Sequence, residues 1–411
     1  MHDIFKKTYE NKGPIGNWKN KIEGSITFPE LTGKVSNRMF YKGQECINWS
    51  SNNYLGLANH PEVTKVEIET VNEWGGSYPM GSRMMTGETS YHKELERKLA
   101  TFVNKEAAFV TNIGYQAMLS CIDALVDKND IIIYDAECHA CIVDGVRLHV
   151  GQHYAFSHNN VDALEQNLKR AEKRVDKTGG GILVITEGIF GIQGEQGKLK
   201  EIIALKASYN FRVMVDDAHG FGTMGHDGSG TGTEQGIQDH IDIYYSTFTK
   251  SMASMGAFIT ADSNVIDYLK YNMRSQIFSR TLPLLYVLGA IKRLDIMRNT
   301  PELRNKLWAN TQELQTGFKN LGYDIGKTNS CVTPLYLSGD IVKAIHLVEK
   351  LRKDFSIFCS MVAYPVVPKK LALLRVIPTA THTKEDIEET LYAFSKPEVK
   401  SMAFTEEIKQ Q

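Results

Sequence analysis

One lysine stands where a covalent attachment point for a carbonyl compound could form. Lys250 closely follows the apolar run IDIYYST and is flanked by hydroxyl residues, Thr247, Thr249 and Ser251. Burial at such a strand exit lowers the pKa of a lysine, which is what an amine that forms a Schiff base requires. Taken alone, a lysine at the end of a strand is more simply interpreted as a surface residue.

A buried acid in the same part of the sequence favours the catalytic interpretation. Asp216 ends the apolar run RVMV, and His219 follows three residues later. A buried carboxylate needs a cation or a hydrogen-bond donor, and a protonated pyridine nitrogen would supply a charge-assisted bond worth about 1.5–3 kcal/mol. Such a pair would keep the ring of pyridoxal phosphate (PLP) protonated, which makes the ring an electron sink. His219 could then reach the ring hydroxyl, and His139 could lie flat against the ring.

The phosphate of such a cofactor requires backbone amides at a helix N-terminus and a hydroxyl donor. The segment from Asn112 through Gly114 and Tyr115 joins a strand-like run to a helix-like run and offers the amides, and Thr247 offers the hydroxyl. A second glycine-rich segment, 228–236, does not join a strand directly to a helix, so a Rossmann motif is rejected and we interpret the segment as a loop.

The elements that must position these residues alternate between strand-like and helix-like runs. The strand-like runs are EAAFVTN, DIIIYDAE, GILVITEG, FRVMVDDAHG and IDIYYSTFTK. Short apolar strands separated by helices predict a mostly parallel sheet covered on both faces. Ligands of such sheets bind at the carboxyl ends of the strands, where Asp135 and Glu187 also fall. We predict a large α/β domain at 60–290, an N-terminal arm and hairpin at 1–59, and a smaller α/β domain at 291–411.

The composition limits the classes of function. The 411 residues include 47 Lys plus Arg against 48 Asp plus Glu, and this balance argues against nucleic-acid binding, which leaves a basic excess. The sequence shows no signal-like or membrane-spanning apolar stretch, so we expect a cytoplasmic protein that does not span a membrane. Six cysteines in a chain of this size do not indicate a disulfide framework. Cys138 and Cys141 are interpreted as small residues in a packed turn, and no metal site is expected.

Several longer motifs, in order along the chain, resemble the α-oxoamine synthases, a family of fold-type-I PLP enzymes. They are SSNNYLGLANHP, GSRMMTGETSYHKELERKLA, HACIVDGVRL, VMVDDAHGFGTMG, STFTKSMASMGAF and LLRVIPTATHT. The family includes serine palmitoyltransferase, 2-amino-3-ketobutyrate CoA ligase, 8-amino-7-oxononanoate synthase and 5-aminolevulinate synthase. The resemblance implies a fold-type-I PLP-dependent transferase, PLP as the cofactor, and a homodimer with active sites at the subunit interface.

The resemblance also implies roles around the cofactor ring for residues that match the family's motifs. Lys250 corresponds to the lysine that holds PLP as a Schiff base and removes the Cα proton of the substrate. Asp216 matches the partner of the pyridine nitrogen, and His219 matches the ligand of the ring hydroxyl. His139 matches the histidine that stacks on the ring.

Further matches concern the phosphate and the amino-acid substrate. The residues that correspond to the phosphate site are Thr247, the backbone at Gly114 and Tyr115, and Ser279, a hydroxyl lent across the dimer interface. Arg375 matches the arginine that grips the carboxylate of the amino acid, with Asn52 assisting it.

The reaction that the resemblance implies is a decarboxylative, Claisen-type condensation of an amino acid with an acyl thioester, which gives an α-amino ketone. The thioester is carried by CoA or by an acyl carrier protein. The motif FTKSMASMGAF resembles the serine palmitoyltransferase branch, so serine and a fatty acyl thioester are the favoured substrates. A glycine C-acyltransferase and a cysteate-using sulfonolipid synthase stay open as alternatives, and so does a fold-type-I aminotransferase from a different class.

Three departures from the family pattern bear on the identity of the substrate. Gly191, in GIFGIQG, stands where the family has a serine, which removes a hydroxyl expected near the ring. Tyr78 and Met80 occupy positions that small residues usually hold in a glycine-rich run. These changes either reshape the pocket for the amino acid or the acyl chain, or they are neutral repacking.

Overall fold

The computed structural model describes residues 3–9, 16, 22–364, 366–368 and 371–404. The chain divides into a large unit, residues 55–191 and 195–304, and a small unit, residues 1–54, 192–194 and 305–411. The division into segments 1–59, 60–290 and 291–411 stays a prediction, and residues 1–2, 10–15 and 17–21 of the expected N-terminal arm lie outside the described part of the chain.

The strands of the described residues form three sheets. In chain order the strands are β1 Leu31–Thr32, β2 Arg38–Tyr41, β3 Gln44–Asn48, β4 Ala107–Thr111, β5 Ile131–Asp135, β6 Gln152–Phe156, β7 Ile182–Glu187, β8 Arg212–Asp216, β9 Ile243–Thr247, β10 Ala257–Ala261, β11 Thr333–Leu337, β12 Ile357–Phe358, β13 Ser360–Ala363 and β14 Ala372–Val376. The large unit contains a seven-stranded sheet of order β4-β10-β9-β8-β7-β5-β6. The small unit contains sheets of order β1-β2-β3-β12 and β11-β14-β13.

The α-helices connect these strands. They are α1 Lys6–Tyr9, α2 Pro61–Trp74, α3 Ser90–Phe102, α4 Gly114–Leu125, α5 Ala140–Leu148, α6 Val161–Thr178, α7 Leu199–Ala204, α8 Thr231–Glu234, α9 Ser263–Asn272, α10 Arg274–Ile277, α11 Leu284–Asn299, α12 Pro301–Asn320, α13 Ile341–Phe355, α14 Lys384–Ser395 and α15 Pro397–Ala403. Within the described residues, none of these helices combines the length and the apolar character needed to cross a membrane.

The large sheet is mostly parallel, as predicted. Strands β5 to β9 pair only in parallel with one another, whereas β10 is antiparallel to both β4 and β9. Every residue of β7 is buried, which is typical of a strand covered on both faces. Strand residues such as Ile185 and Met214 share one core cluster with Met118 and Ile122 of α4. The sheet therefore holds the ends of its central strands in fixed positions.

Local sequence signals explain two elements of the small unit. The turn between β2 and β3 is formed by Lys42 and Gly43, with φ of 51° and 82°, the left-handed pair that a type I′ hairpin requires. Helix α14 begins with a capping box, in which Thr383 accepts the Asp386 amide and the Asp386 carboxylate accepts the Thr383 amide. Both features are encoded by residues close together in the sequence.

Candidate functional site

Four strands of the large unit end in polar residues at one edge of the sheet. Strand β5 ends at Asp135, β7 at Glu187, β8 at Asp216 and β9 at Thr247. Because these strands run parallel, the four residues share the carboxyl-end edge, where ligands of α/β sheets bind. Glu187 and Asp216 are direct neighbours across β7 and β8, and Lys250 lies in the loop after β9.

The Asp216 carboxylate is deeply buried at this edge. Only 5% of the residue is exposed, and Oδ1 accepts the Ala218 amide at 3.0 Å. Burial raises the pKa of Asp216, whereas the positive charge of Lys250 acts to lower it. Lys250 is itself half-buried. A cationic ligand nitrogen beside this carboxylate would stabilise its charged form.

His139 is held at the N-terminus of α5. Its ring Nδ1 accepts the Cys141 amide at 3.3 Å, so the side chain caps the helix. Its own backbone N–H donates to Glu187 Oε1 at 2.5 Å. Burial lowers the pKa of His139, so the ring is neutral at physiological pH. The structure therefore presents a flat, uncharged ring at the edge that also carries Asp216.

His219 lies in the turn after β8, with its ring beside Gly191. The residue is buried, and its carbonyl accepts the Thr223 hydroxyl at 2.6 Å. A Cβ added at Gly191 would lie 2.2 Å from Nε2 of His219, which is closer than any real contact. The His219 ring therefore occupies the space that a serine side chain at position 191 would need.

The start of α4 offers open amides next to a hydroxyl. Ile113, in the N-cap position, makes no side-chain hydrogen bond to the first turn, so these N–H groups are available to an anion. A Cβ at Gly114 would lie 2.8 Å from the Tyr245 hydroxyl and 3.1 Å from Thr247 Oγ1. Position 114 thus requires glycine, because a larger residue would collide with these two hydroxyl groups. The same distances show that the Thr247 hydroxyl lies beside the helix start.

Three further residues surround this helix start. Ser279 Oγ accepts the Asn112 amide group at 3.1 Å, so Ser279 lies close to Asn112 of its own chain. The Oδ1 atom of Asn112 is buried and has no hydrogen-bond partner among the described residues. Tyr115 is partly exposed, and its hydroxyl donates to Asp144. The Asn112 oxygen can only accept, so it would meet a hydrogen-bond donor and not a phosphate oxygen.

The two predicted substrate residues lie in the small unit. Arg375, in β14, is hydrogen-bonded to the fully buried Tyr54 hydroxyl. The Ala380 amide donates to the Tyr54 carbonyl at 2.7 Å, so the segment around Tyr54 runs beside the segment that follows Arg375. Asn52 precedes Tyr54 by two residues, and its Oδ1 is buried without a partner in the described part of the chain. Arg375 and Asn52 are therefore brought into one neighbourhood, whereas the cofactor residues named above belong to the large unit.

Sequence reasoning assigned no role to Asp217, which proves to be a structural anchor. Its carboxylate accepts the Thr231 amide at 2.7 Å, the Thr231 hydroxyl at 2.6 Å and the Tyr244 hydroxyl at 3.0 Å. Burial raises the pKa of Asp217 to about 7. This acid therefore ties the glycine-rich loop 228–236 to the end of β8. The only signal in the sequence was a second acid directly after the strand.

The residues of this edge fit PLP. A buried carboxylate suits the pyridine nitrogen, a half-buried lysine amine suits the aldehyde, and open helix amides with a hydroxyl suit the phosphate. The residues that could hold it are Asp216, Lys250, Thr247, Gly114, Tyr115, His139 and His219. Their assignment to individual cofactor atoms stays a prediction.

Known proteins resemble this chain over most of its length. The model of the aminotransferase class I and II family matches residues 44–394. A cysteate-C-fatty acyltransferase from Capnocytophaga ochracea is 58% identical over 96% of this chain and 94% of its own length. A serine palmitoyltransferase from Sphingobacterium spiritivorum is 34% identical over 91% of this chain and 93% of its own. A high-resolution structure of serine palmitoyltransferase with PLP has a TM-score of 0.89 at 28% identity, over 98% of this chain and 99% of that one.

Fold and comparisons together define a fold-type-I PLP enzyme with a mostly parallel sheet in its large unit. The chain belongs to the aminotransferase class I and II family and, within it, to the α-oxoamine synthases. PLP is its cofactor. The enzyme is an acyltransferase that condenses an amino acid with an acyl thioester, as the sequence motifs predicted.

Proposed function

We propose that this enzyme condenses cysteate with a fatty acyl thioester. The new bond joins Cα of cysteate to the acyl carbon, the thiol leaves the thioester, and the original carboxylate leaves as CO2. The observation that carries the proposal is the 58% identity to a cysteate-C-fatty acyltransferase, against 34% to the Sphingobacterium spiritivorum serine palmitoyltransferase. The product is an α-amino ketone that bears a sulfonate.

PLP supplies an electron sink for the negative charge that develops at Cα. Lys250 holds the cofactor through its amine and serves as the base that takes the Cα proton. Asp216 keeps a proton on the pyridine nitrogen, because a buried carboxylate stabilises an adjacent cation. Its burial supports this role, since a weakly solvated charge interacts more strongly with its partner.

Other side chains orient the two partners. The amides at the start of α4 and the Thr247 hydroxyl hold the phosphate, with Ser279 as a further hydroxyl donor. His139 packs its neutral ring on the cofactor ring, and His219 donates to the ring hydroxyl. Arg375 binds the carboxylate of the amino acid, assisted by Asn52, and thereby selects the bond at Cα that is aligned for cleavage.

Serine is the second candidate, because serine palmitoyltransferases match this chain over nearly its whole length. Serine and cysteate differ in that a neutral hydroxyl is replaced by a charged sulfonate. A site built for the sulfonate leaves polar groups unpaired when serine binds, which costs roughly 10²-fold or more in kcat/KM.

The test uses the purified enzyme loaded with PLP. We expect cysteate to perturb the visible absorption band saturably at lower concentration than serine, glycine or alanine, and to release CO2 only when a fatty acyl thioester is present. A higher kcat/KM for serine than for cysteate would mean that the amino-acid substrate is serine and not cysteate. Release of CO2 without a thioester would indicate a decarboxylase, and amino-group transfer to a 2-oxo acid would indicate an aminotransferase. The Lys250→Ala variant serves as the control without the reactive amine.

We also propose that the enzyme is a cytoplasmic homodimer that accepts its acyl group from CoA or from an acyl carrier protein. Large apolar side chains at Met80, Met85 and Phe278 are 69–77% exposed in the single chain, and exposed apolar surface of this kind is typical of subunit interfaces. The six cysteines are buried and form no disulfide bonds, which suits a reducing compartment. The molar mass in solution, measured by light scattering, tests the dimer.

A further inference from the structure

His139 is held from two sides by residues to which no role in this site has been assigned. On one side, its backbone N–H donates to Oε1 of Glu187 at 2.5 Å. On the other side, its ring Nδ1 lies 3.0 Å from the Cys141 thiol and 3.3 Å from the Cys141 amide. Glu187 comes from β7 and Cys141 from α5, so the histidine is fixed between a strand end and a helix start.

The contacts at the ring nitrogen define the tautomer. The Cys141 amide can only donate, so Nδ1 accepts and the ring proton resides on Nε2. The thiol is a second donor to the same atom, because burial raises the pKa of Cys141 and keeps the S–H protonated. Burial also lowers the pKa of His139, so the ring stays neutral. A neutral ring with its proton on Nε2 is the form that these contacts stabilise.

Glu187 differs from its neighbour Asp216 in its role. Burial and the charge of Asp216 both raise the pKa of Glu187, whereas the hydrogen bond from the His139 amide acts to lower it. The side chain is buried at the end of β7, where its position is fixed by the sheet. An amide of the same shape would accept the same N–H bond.

We propose that Glu187 and Cys141 are positioning residues, which together hold the His139 ring in one place and in one tautomer against the cofactor. The inference rests on the proposed placement of His139 next to PLP, but it does not depend on which amino acid is the substrate. Glu187 fixes the backbone at the start of α5, and Cys141 fixes the rotation of the ring.

Paired substitutions separate this role from general packing. In Cys141→Ala the thiol donor is lost while the amide of residue 141 remains, and in Glu187→Leu the acceptor is lost. In both variants we expect PLP affinity to fall roughly two- to tenfold, the effect of one hydrogen bond. The visible circular dichroism band of bound PLP should weaken as the ring loses its fixed orientation. In Cys141→Ser and Glu187→Gln the hydrogen-bonding groups are kept, and affinity should return to within about twofold of the parent enzyme. Cys121→Ala, which removes a buried thiol from the same core, serves as the matched control.

A double-mutant cycle with His139→Ala tests whether the effect passes through the histidine. We expect Cys141→Ala to cause no further loss of PLP affinity in that background, because residues that act through one contact are not additive. Additive losses, or an unchanged affinity and dichroism in Cys141→Ala, would overturn the proposal for Cys141.

Hydrogen exchange of the cofactor-free protein provides a second readout. We expect Glu187→Leu to speed exchange at the His139 amide, and Glu187→Gln to leave it protected. Equal protection in both variants would overturn the proposal for Glu187. If Glu187→Leu does not fold, the comparison of Glu187→Ala with Glu187→Gln replaces it. None of these measurements uses an amino acid or a thioester, so they remain valid if cysteate proves not to be the substrate.

Discussion

The charged residues at the two ends of the central strands have different partners. At the amino ends, Arg212 at the start of β8 and Lys206 both contact Asp242, at 2.7 Å and 2.5 Å. At the carboxyl ends, the Glu187 and Asp216 carboxylates are held by the backbone amides of His139 and Ala218. One end thus consists of matched ion pairs near solvent, and the other of buried acids oriented by the backbone.

This difference distinguishes charges that stabilise the fold from charges that serve a ligand. A partly exposed ion pair contributes little and is replaceable. A buried carboxylate is costly unless a partner compensates it, so its retention at a strand end indicates a bound cation or donor. In this enzyme the pyridine nitrogen of PLP is the group that Asp216 is expected to meet.

Neutralising the buried acid should give the largest effect. In Asp216→Asn the amide oxygen can still accept the Ala218 N–H, but it cannot hold a proton on the pyridine nitrogen. We expect some PLP to remain bound, detected by its visible absorption, while turnover falls by about 10²-fold, or ~3 kcal/mol. Turnover equal to that of the parent enzyme would contradict the role of Asp216. It would mean that the acids at both strand ends serve only the stability of the fold.

An added side chain beside His219 should have an intermediate effect. Gly191→Ser places a Cβ 2.2 Å from the ring, so the ring must rotate away, at a cost of about 1–3 kcal/mol in stability. We expect a shifted absorption maximum of bound PLP and a several-fold lower kcat. Gly181→Ala is the matched control, because its Cβ would meet only Asp130 Oδ1, at 3.6 Å. Identical spectra for the parent enzyme and Gly191→Ser would show that the His219 ring is not in contact with the cofactor.

Neutralising an acid at the amino ends should give the smallest effect. Burial acts to raise the pKa of Asp242, but hydrogen bonds and charge from Lys206 and Arg212 outweigh it, so the folded-state pKa is lowered. The ionised Asp242 therefore stabilises the folded state at pH values above its ordinary pKa of 3.8. This stabilisation is lost as the pH falls through the folded-state pKa. We expect Asp242→Asn to reduce the free energy of unfolding by about 1 kcal/mol at pH 7.

Urea unfolding at pH 7 and near pH 3 measures this difference between Asp242→Asn and the parent enzyme. The difference should shrink at the lower pH, while PLP binding at pH 7 stays unchanged. A large loss of PLP affinity would remove the distinction between the two strand ends.

The sequence was sufficient where the signal is local. Apolar runs that end in Asp135, Glu187 and Asp216 predicted both the strands and the edge where the site lies, because parallel strands bring their carboxyl ends together. The hairpin turn at Lys42-Gly43 was equally local.

The remaining contacts depend on segments distant in the chain, which spacing and periodicity do not specify. The bond from His139 to Glu187 joins β7 to the start of α5, and the close approach of His219 to Gly191 joins two loops. The anchoring of Thr231 by Asp217 is of the same kind. Sequence reasoning therefore predicted the residue types of the candidate site but not the residues that hold them in place.

The antiparallel strand β10 has a consequence for how the site assembles during folding. Thr247 and Ala257 are paired, and the Phe248 amide donates to the Gly256 carbonyl at 2.9 Å, so Lys250 lies in a short closed loop. Closing a short loop costs little conformational entropy, whereas pairing Glu187 with Asp216 requires a whole helical crossover to form first. Lys250 is therefore presented by a locally closed segment of the sheet, whereas Asp216 is positioned through a longer helical connection.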